Sequence, residues 1–291
     1  MMTNKFKRVA LIGKYKSPEI EGSLLRLGGY LEERGVEVVL DVLTAANISQ
    51  THYLSLDLEE IGKSVDLAVV VGGDGTMLNI ARTLAPHGVA VVGVNQGRLG
   101  FLTDLSIDSM QKSIALILEG NYVVEERMLL EADVTRDFKQ EKKVLALNDV
   151  YINKGPDGGL IELQVFIDGD FAFFLRADGL ILNTPTGSTA YALSAGGPIL
   201  HPSLNCIGLV PVSPHTLSNR PIVLQEQSVI EVKILTACDG RVHFDSHSHY
   251  DLNGRDLVKV KSADTPIRLL HPQGHNYYRM LRQKLHWSDS L

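Results

Sequence analysis

The sequence predicts an α/β N-terminal domain with a parallel sheet, followed by an all-β, sandwich-like C-terminal domain. Strand-like and helix-like segments alternate up to about residue 120, which favours a parallel sheet covered by helices. From about Tyr122 onward, short strand-like segments joined by turn residues replace that alternation. The length of 291 residues exceeds one compact core of usual size and suits two domains.

In the first part of the chain, short apolar runs predict strands and amphipathic stretches predict helices. Apolar residues recur at helical spacing from Gly22 to Leu31, and Gly35 supplies a stop signal. The predicted strands cover 8–12, 36–41, 67–71 and 89–94, and the predicted helices cover 24–34, 77–84 and 108–120.

The second part is dominated by predicted strands, which cover 126–136, 143–152, 161–167, 171–175, 180–183, 222–223, 229–235, 241–244, 257–260 and 267–270. One helix interrupts them, from Ser188 to Ala195, and Gly196-Gly197-Pro198 closes it. The tail from Asn276 to Trp287 is again helix-like. We therefore expect an α/β domain over 1–122, a β-rich domain over 123–271, and a tail over 272–291 that packs back on the first domain.

Composition excludes several classes of protein. A formal charge of −6 argues against broad nucleic-acid binding, so anionic substrates must be held by local groups. The apolar run from Val9 to Gly13 is too short for a signal sequence or a membrane span, so we expect a cytoplasmic protein without membrane attachment. With only Cys206 and Cys238, we expect reduced thiols and no disulfide framework.

The loop Gly72-Gly73-Asp74-Gly75-Thr76 lies between a predicted buried strand and a predicted helix. Glycine permits close backbone approach, and the free N–H groups of a helix start favour an anion such as phosphate. A carboxylate repels phosphate, so Asp74 requires a different role, which is to hold a divalent metal, accept a proton from an attacking hydroxyl, or bond a sugar hydroxyl. A plain strand-to-helix turn is the alternative interpretation.

Two further segments are candidates for ligand binding. The stretch from Asp178 to Pro198 carries hydroxyl groups at Thr184, Thr186, Ser188, Thr189 and Ser194, together with Tyr191, which suits a nucleotide. Ser188 or Thr189 can also cap the short helix. The adjacent pair Asn148 and Asp149 follows a strand-like run, where a plain turn is the simpler interpretation.

Two further groups of polar residues allow predictions about neighbouring loops and about metal binding. The segment from Asn95 to Leu102 follows a predicted parallel strand, so it should lie beside the Asp74 loop at the carboxyl edge of the sheet. His243, Asp245, His247 and His249 alternate along a predicted strand and share one face. Their spacing of roughly 7 Å is too wide for one tetrahedral ion without a bend, so polar residues on a wet strand face or domain junction are the better interpretation, and we predict no metal site there.

Taken together, these residues resemble the NAD kinase family over nearly the whole chain. The Gly72 to Thr76 loop is similar to a motif shared with diacylglycerol, sphingosine and 6-phosphofructo kinases. The stretch from Asp178 to Pro198, continuing from Pro214 to Pro221, is similar to the family's own signature. The resemblance implies an enzyme with NAD and ATP as substrates, a divalent ion such as Mg²⁺ accompanying ATP, and a homo-oligomer, either a dimer or a tetramer.

The resemblance also implies roles for particular residues. Asp74 would be the catalytic carboxylate at the 2′-hydroxyl of the adenosine ribose of NAD, with Gly75 beside it, and Gly72, Gly73, Gly75 and Thr76 would hold the phosphates of ATP. Asn148 and Asp149 would bind the dinucleotide, and Arg176 matches an arginine associated with preferring NAD over NADH. The remaining implied NAD contacts are Asp178, Thr189, Ala190, Tyr191, Ala192, Leu193, Ser194 and His247.

Two positions depart from the family pattern. Gly159 stands where related bacterial members carry a basic residue or histidine, so a contact from that side chain is absent. His247 stands where the family often has glutamine.

Other functions are compatible with parts of the sequence. A kinase acting on a lipid or sugar shares the glycine loop, and a nucleotide sensor without catalysis is the alternative that is not an enzyme. A dehydrogenase is disfavoured because no Gly-x-Gly-x-x-Gly follows a strand. The sequence alone leaves open whether ATP or inorganic polyphosphate is the phosphate donor.

Overall fold

A computed structural model describes residues 5–14, 17–97, 99–156, 158–216, 218–235, 240–254 and 256–287. The described chain divides into two compact units. The first contains the residues up to Glu126 and those from Ile267 onward, and the second contains Arg127–Pro266. Among the described residues, no helix is long and apolar enough to cross a membrane.

The first unit is built on one eight-stranded sheet with the order β3-β2-β1-β4-β5-β20-β7, in which β6 also pairs with β5. Every pairing with a described register in this sheet is parallel. Its strands are β1 (Arg8–Gly13), β2 (Glu37–Asp41), β3 (Leu54–Leu56), β4 (Leu67–Val71), β5 (Ala90–Asn95), β6 (Leu105–Ser106), β7 (Tyr122–Arg127) and β20 (Ile267–Pro272). Its helices are α1 (Glu21–Glu32), α2 (Val42–Ala45), α3 (Leu58–Ser64), α4 (Asp74–Leu84), α5 (Met110–Leu118) and α7 (Tyr277–Leu285).

The central strands of this sheet are buried along their whole length, because helices cover both faces of a parallel sheet. Leu24, Leu27 and Leu31 of α1 recur at helical spacing and pack in the same core cluster as Val69 and Val92. This packing fixes the carboxyl ends of β4 and β5, where the glycine loop begins.

The second unit consists of two six-stranded sheets with the orders β15-β14-β13-β10-β17-β18 and β12-β11-β16-β19-β8-β9. Every described pairing here is antiparallel. Its strands are β8 (Leu130–Arg136), β9 (Lys139–Ala146), β10 (Asp149–Asn153), β11 (Ile161–Ile167), β12 (Asp170–Ala177), β13 (Gly179–Asn183), β14 (Cys206–Val212), β15 (Ile222–Gln225), β16 (Ile230–Ile234), β17 (Gly240–Phe244), β18 (Ser248–Leu252) and β19 (Asp256–Ser262).

One apolar cluster fills the space between these two sheets. It joins Leu182 and Phe244 from one sheet to Leu163 and Val258 from the other. Inward-facing residues alternate with polar ones along β11 and β19, as expected for packed antiparallel sheets. The predicted fold class, an α/β domain with a parallel sheet plus an all-β sandwich, is confirmed.

The structure differs from the sequence prediction in the placement of two strands. The sequence places the segment at 267–270 in the β-rich domain, yet β20 pairs in parallel with β5. Likewise β7, near the start of the predicted second part, lies at an edge of the first unit's sheet. Apolar alternation predicts that a segment is a strand, but it does not specify the sheet that the strand joins.

The predicted helix from Ser188 to Ala195 is also shorter than expected. A 3₁₀ turn covers Gly187–Thr189, and a separate four-residue helix, α6, covers Tyr191–Ser194. Ala190 separates them with the non-helical angles φ −100° and ψ −129°. No side-chain cap bond is made at either start, so the expected capping by Ser188 or Thr189 is wrong.

Candidate active site

The glycine loop follows β4 and opens α4 in the first unit. Gly73 is the N-cap residue in extended conformation, and Asp74 is the first helical residue. The first N–H groups of a helix have no partner within the helix, and they lie at its positive end. Gly73 and Gly75 are exposed, so the backbone of this turn is open to an anionic ligand.

The Asp74 carboxylate is held in one orientation by the segment that follows β5. Oδ2 accepts the backbone N–H of Phe101 at 2.9 Å, and Oδ1 accepts that of Leu102 at 3.0 Å. The Thr103 hydroxyl donates to Oδ1 at 3.3 Å. The sequence predicted that residues 95–102 lie near Asp74, and the structure adds direct contact.

Two features shape the segment that holds Asp74. The Asn95 side-chain amide donates to the carbonyl oxygens of Thr103 and Leu105, which ties the segment to the end of β5. A Cβ at Gly100 would lie 2.1 Å from Asp74 Oδ1, so only glycine permits this approach. Arg98, in the same predicted segment, lies outside the described residues.

In the second unit, Asp245 holds the Asn148 and Asp149 pair. Its carboxylate accepts the backbone N–H groups of Leu147 at 2.8 Å, Asn148 at 2.6 Å and Asp149 at 3.1 Å. The N–H of Asp245 in turn donates to the carbonyl of Asp149 at 3.0 Å. Asp245 adopts a positive φ of 51° at the end of β17 and is 2% exposed.

Asp149 is a buried carboxyl group beside a second carboxylate. Burial, and then the negative charge of Asp245, raise the pKa of Asp149 to about 7 from an ordinary value of 3.8. The backbone N–H groups of Leu147 and Asn148 donate to the Asp245 carboxylate and stabilise its negative charge. Asp149 is therefore the member of the pair that retains a proton more readily. Perturbed carboxyl groups of this kind are common at functional sites.

Most hydroxyl groups of the Asp178 to Pro198 stretch bind the protein's own backbone. Thr184 Oγ1 donates to the Leu147 carbonyl at 2.5 Å and accepts the N–H of Gly187. Ser188 Oγ donates to the Pro185 carbonyl at 2.6 Å and accepts the N–H of Leu200. The Thr189 hydroxyl donates to the Thr186 carbonyl.

Gly187 explains why this stretch is so tightly folded. A Cβ at Gly187 would lie 2.0 Å from the Asn148 carbonyl oxygen, which is backbone and cannot move aside cheaply. Among the hydroxyl groups that sequence reasoning assigned to a ligand, that of Thr184 ties the loop to the backbone of Leu147 and Asn148. Those of Ser188 and Thr189 bind backbone groups of the loop itself.

Sequence reasoning missed Tyr151, which joins several predicted residues. Its ring meets that of Tyr191 edge-on with centroids 5.1 Å apart, and it stacks on His243 at 5.7 Å. Burial, then its hydrogen bond with Tyr191 and the charge of Asp178, raise the pKa of Tyr151 to about 12. Tyr151 lies two residues after Asp149, on the same face of β10, and that alternation is the signal that could have found it.

The remaining predicted residues differ in their surroundings. Ala192 is buried with Ile181 and Val210, so it anchors α6. Ala190 and Leu193 are half-buried, whereas Ser194 and Asp178 are exposed. Arg176 is exposed and lies 3.7 Å from Glu162 Oε1, a loose ion pair.

Among the residues that the structure describes, the side chains of the histidine-rich strand do not converge into a group of three potential metal ligands. His243 and His249 face each other across β17 and β18, with ring centroids 5.9 Å apart. Asp245 is engaged by three backbone N–H groups, and His247 Nδ1 binds the Asp245 carbonyl at 2.6 Å on the exposed turn. Cys206 is a buried free thiol, and Cys238 lies outside the described residues.

Comparison with known proteins links both units to one family. The sequence model of the ATP-NAD kinase N-terminal domain matches residues 27–122, and that of the ATP-NAD kinase C-terminal domain matches residues 147–271. The chain is 56% identical to the NAD kinase of Nitrosomonas eutropha over 291 residues, covering 100% of this chain and 98% of the relative. It is also 56% identical to the NAD kinase of Nitrosospira multiformis over 287 residues, covering 99% and 98%.

Two solved structures of similar fold were determined as complexes, one with NADH and one with ATP. Yeast NADH kinase complexed with NADH superposes with a TM-score of 0.90 at 26% identity, covering 99% of this chain and 90% of that one. An NAD kinase from Archaeoglobus fulgidus in complex with ATP superposes with a TM-score of 0.75 at 28% identity, covering 96% and 98%.

Proposed function

Because this chain belongs to the ATP-NAD kinase family, we propose that it transfers the terminal phosphoryl group of ATP to the 2′-hydroxyl of the adenosine ribose of NAD, giving NADP. The chain is an enzyme, an NAD kinase, and a lipid or sugar kinase or a sensor without catalysis is not favoured. The observation that carries the proposed mechanism is the Asp74 carboxylate, held by two backbone N–H groups at the start of α4.

Phosphoryl transfer has a loose transition state, so catalysis depends on alignment and charge neutralisation. Oδ2 of Asp74 accepts one N–H and retains a lone pair for the attacking ribose hydroxyl. In this role Asp74 orients the hydroxyl and takes its proton late in the transfer. The amides of Gly73 and Gly75 and the Thr76 hydroxyl supply donors for phosphate oxygens. The Gly72 amide donates to the Val94 carbonyl at 2.8 Å, so Gly72 contributes close backbone approach and not a free N–H.

We infer that Mg²⁺ enters with ATP. The loop from Gly72 to Thr76 offers one carboxylate, and that carboxylate already accepts three hydrogen bonds. A loop of this kind suits a Mg²⁺ ion held mainly by phosphate oxygens and water, which is how Mg²⁺ usually binds with nucleotides. The ion would neutralise charge on the transferring group.

The second unit, Arg127–Pro266, is the proposed NAD-binding domain. Asn148 and Asp149 would bind the dinucleotide from the position that Asp245 fixes. Tyr191 and Asp178 would contact NAD near Tyr151, together with the backbone and side chains of Thr189, Ala190, Ala192, Leu193 and Ser194. His247 and Arg176 would contribute from exposed positions, Arg176 favouring NAD over NADH.

We also propose that the chain forms a homo-oligomer in the cytoplasm, where NAD and ATP are available. Two edge strands support self-association: β12 exposes Phe171 and Phe174, and β15 exposes Ile222 and Val223. Exposed apolar edge strands pair readily with another chain. Light scattering on Phe174→Ser should show smaller particles than the wild type, whereas Phe138→Ser, at an exposed hairpin turn, should not change the size.

The enzymatic proposal is tested by incubating the protein with ATP, Mg²⁺ and NAD and measuring NADP with a dehydrogenase specific for NADP. Formation of NADP supports the proposal. Binding of NAD without product would favour a sensor, and phosphorylation of a lipid instead would favour the other kinase class. Replacing ATP with inorganic polyphosphate identifies the donor.

A further inference from the structure

Three side chains from distant parts of the sequence converge in the first unit. Asp104 precedes β6, His271 lies in β20, and His275 lies in the turn before α7. The side chain of His271 is 2% exposed, and those of Asp104 and His275 are 13% and 14% exposed. The described residues contain this one group of three potential ligand atoms that all lie within 4.8 Å of one another.

The three side chains meet at one oxygen atom. Nδ1 of His271 lies 2.9 Å from Asp104 Oδ2, and Nδ1 of His275 lies 2.8 Å from the same atom. The two imidazole rings stack with centroids 3.9 Å apart and an angle of 21°. Oδ1 of Asp104 is buried and has no hydrogen-bond partner among the described residues.

The protons available do not account for all of these contacts if both rings are neutral. Nε2 of His271 lies 3.1 Å from Glu125 Oε2, so His271 faces a carboxylate at each nitrogen. A neutral imidazole has one N–H, and an ionised carboxylate only accepts. Either His271 carries a second proton, or another cation lies between Nδ1 and Asp104.

A metal ion satisfies this arrangement with ordinary coordination chemistry. Two imidazole nitrogens and one carboxylate oxygen are a usual set for a divalent ion such as Zn²⁺. Tetrahedral bonds of about 2.0 Å separate neighbouring ligand atoms by about 3.3 Å, so each Nδ1 atom must move away from Asp104 Oδ2 by about 0.4 to 0.5 Å. A ligating histidine usually donates its other N–H to a carboxylate, and Glu125 is placed to accept it.

The surroundings provide a fourth coordination position. A cavity of about 140 Å³ is lined by Asp104, His275, Asn276 and Arg279, among others. This volume holds several water molecules, since one occupies about 30 Å³. The positive charge of Arg279 opposes a cation there, and the two carboxylates of Asp104 and Glu125 outweigh it.

We propose that Asp104 Oδ2 and the Nδ1 atoms of His271 and His275 bind one Zn²⁺ ion, with water from the cavity as the fourth ligand and Glu125 orienting His271. This ion is separate from the Mg²⁺ that accompanies ATP. Asp104 directly follows Phe101, Leu102 and Thr103, which hold Asp74. The ion therefore fastens the Asp74 support to the C-terminal strand and helix, and its role is structural.

A proton is the competing occupant. Burial alone would lower the pKa of His271, but hydrogen bonds to Asp104 and Glu125 outweigh it and raise the pKa to about 9. The metal and the proton compete, because Nδ1 of His271 must release its proton before it can bind Zn²⁺, so Zn²⁺ uptake should release protons and weaken as pH falls.

The test uses the full chain without an affinity tag, stripped with a chelator and then titrated with Zn²⁺ against a chromophoric competitor. We expect one tightly bound Zn²⁺ per chain and a higher Tm when it is bound. Co²⁺ should give the intense visible absorption of a tetrahedral site. His275→Gln should weaken Zn²⁺ binding at least 100-fold, and Glu125→Gln by about 10- to 100-fold.

His249→Gln is the matched control, since it removes an exposed imidazole in the other unit, and it should leave the tight site intact. Circular dichroism of the metal-free proteins verifies that each variant folds. The proposal is wrong if wild type takes up no tightly bound Zn²⁺, or if His275→Gln and Glu125→Gln, folded, bind it as wild type does.

Discussion

Gly100 lies so close to the Asp74 carboxylate that a Cβ there would be 2.1 Å from Oδ1 and 2.2 Å from Thr103 Oγ1. The absence of a side chain at Gly100 is thus a condition for the hydrogen bonds from Phe101 and Leu102 to Asp74. The orientation of the proposed catalytic group depends on a neighbouring loop as much as on its own helix.

Gly100→Ala should displace the Asp74 carboxylate and lower kcat by about 100-fold, since small misplacements of a catalytic group are costly. Steady-state kinetics with saturating ATP and NAD provide the measurement. Gly29→Ala is the control, because a Cβ there meets nothing within 4 Å, and alanine in a helix stabilises by about 0.5 to 1 kcal/mol relative to glycine. Unchanged kcat in Gly100→Ala would contradict the positioning role.

Asp245→Asn should weaken NAD binding indirectly, because Asp245 holds the backbone of Asn148 and Asp149 in place. Three backbone N–H groups point at the Asp245 carboxylate, and an amide NH₂ in its place would face donors. We expect a loss of stability of about 2 to 3 kcal/mol and a higher KM for NAD. Denaturant unfolding and initial rates measure the two effects.

Asp251→Asn, on the exposed part of β18, is the control for Asp245→Asn. It removes one carboxylate from the same unit and should leave KM for NAD unchanged. If Asp245→Asn folded normally and kept the wild-type KM, the proposed support of Asn148 and Asp149 would be wrong.

Stability should fall as pH rises toward 7 because of Asp149. Its pKa in the folded chain, about 7, lies above the ordinary value of 3.8, so the folded chain keeps a proton that the unfolded chain has released. The folded state binds more protons in this window, and its stability therefore decreases from about pH 4 to pH 7. The Tm values of wild type and Asp149→Asn, measured as a function of pH, should differ least at low pH and most near neutrality. The Tm of the variant should depend less on pH over this range.

The charge facing Asp149 is that of Asp245, which lies beside it and whose own carboxylate is stabilised by backbone N–H groups. A difference between wild type and Asp149→Asn that does not vary over this pH range would show that Asp149 carries no raised pKa.

Arg176→Gly should shift the ratio of NAD to NADH turnover toward NADH. The side chain is exposed and its ion pair with Glu162 is loose, so the variant should unfold at nearly the wild-type temperature. Initial rates with each dinucleotide measure the ratio. Glu162→Gln removes the ion pair but keeps the arginine, and it should leave the ratio unchanged. An identical preference in Arg176→Gly and wild type would remove this role.

Sequence patterns predicted the large-scale organisation because burial and periodicity are local signals. The Val-rich run before Gly72 and the spacing of Leu24, Leu27 and Leu31 each follow from the element that contains them. Proximity of residues 95–102 to Asp74 followed from the rule that ligand loops share the carboxyl edge of a parallel sheet.

The remaining features depend on contacts between distant residues. Asp245 is 97 residues from Asn148, and its positive φ leaves no clear signal in the sequence. The helix predicted over 188–195 is broken at Ala190, and three residues earlier Gly187 packs against the Asn148 carbonyl, a contact between residues distant in the sequence. The convergence of Asp104, His271 and His275 likewise requires β20 to join the first sheet.

Asp74→Asn tests the central claim most directly, with NADP formation measured beside NAD affinity by calorimetry. The account predicts that the variant folds, binds NAD within a few-fold of wild type, and forms NADP at least about 1000-fold more slowly. Asp108→Asn, an exposed carboxylate in the same unit, should retain wild-type turnover. An Asp74→Asn protein that kept most of its turnover would contradict the assignment of Asp74 as the catalytic carboxylate.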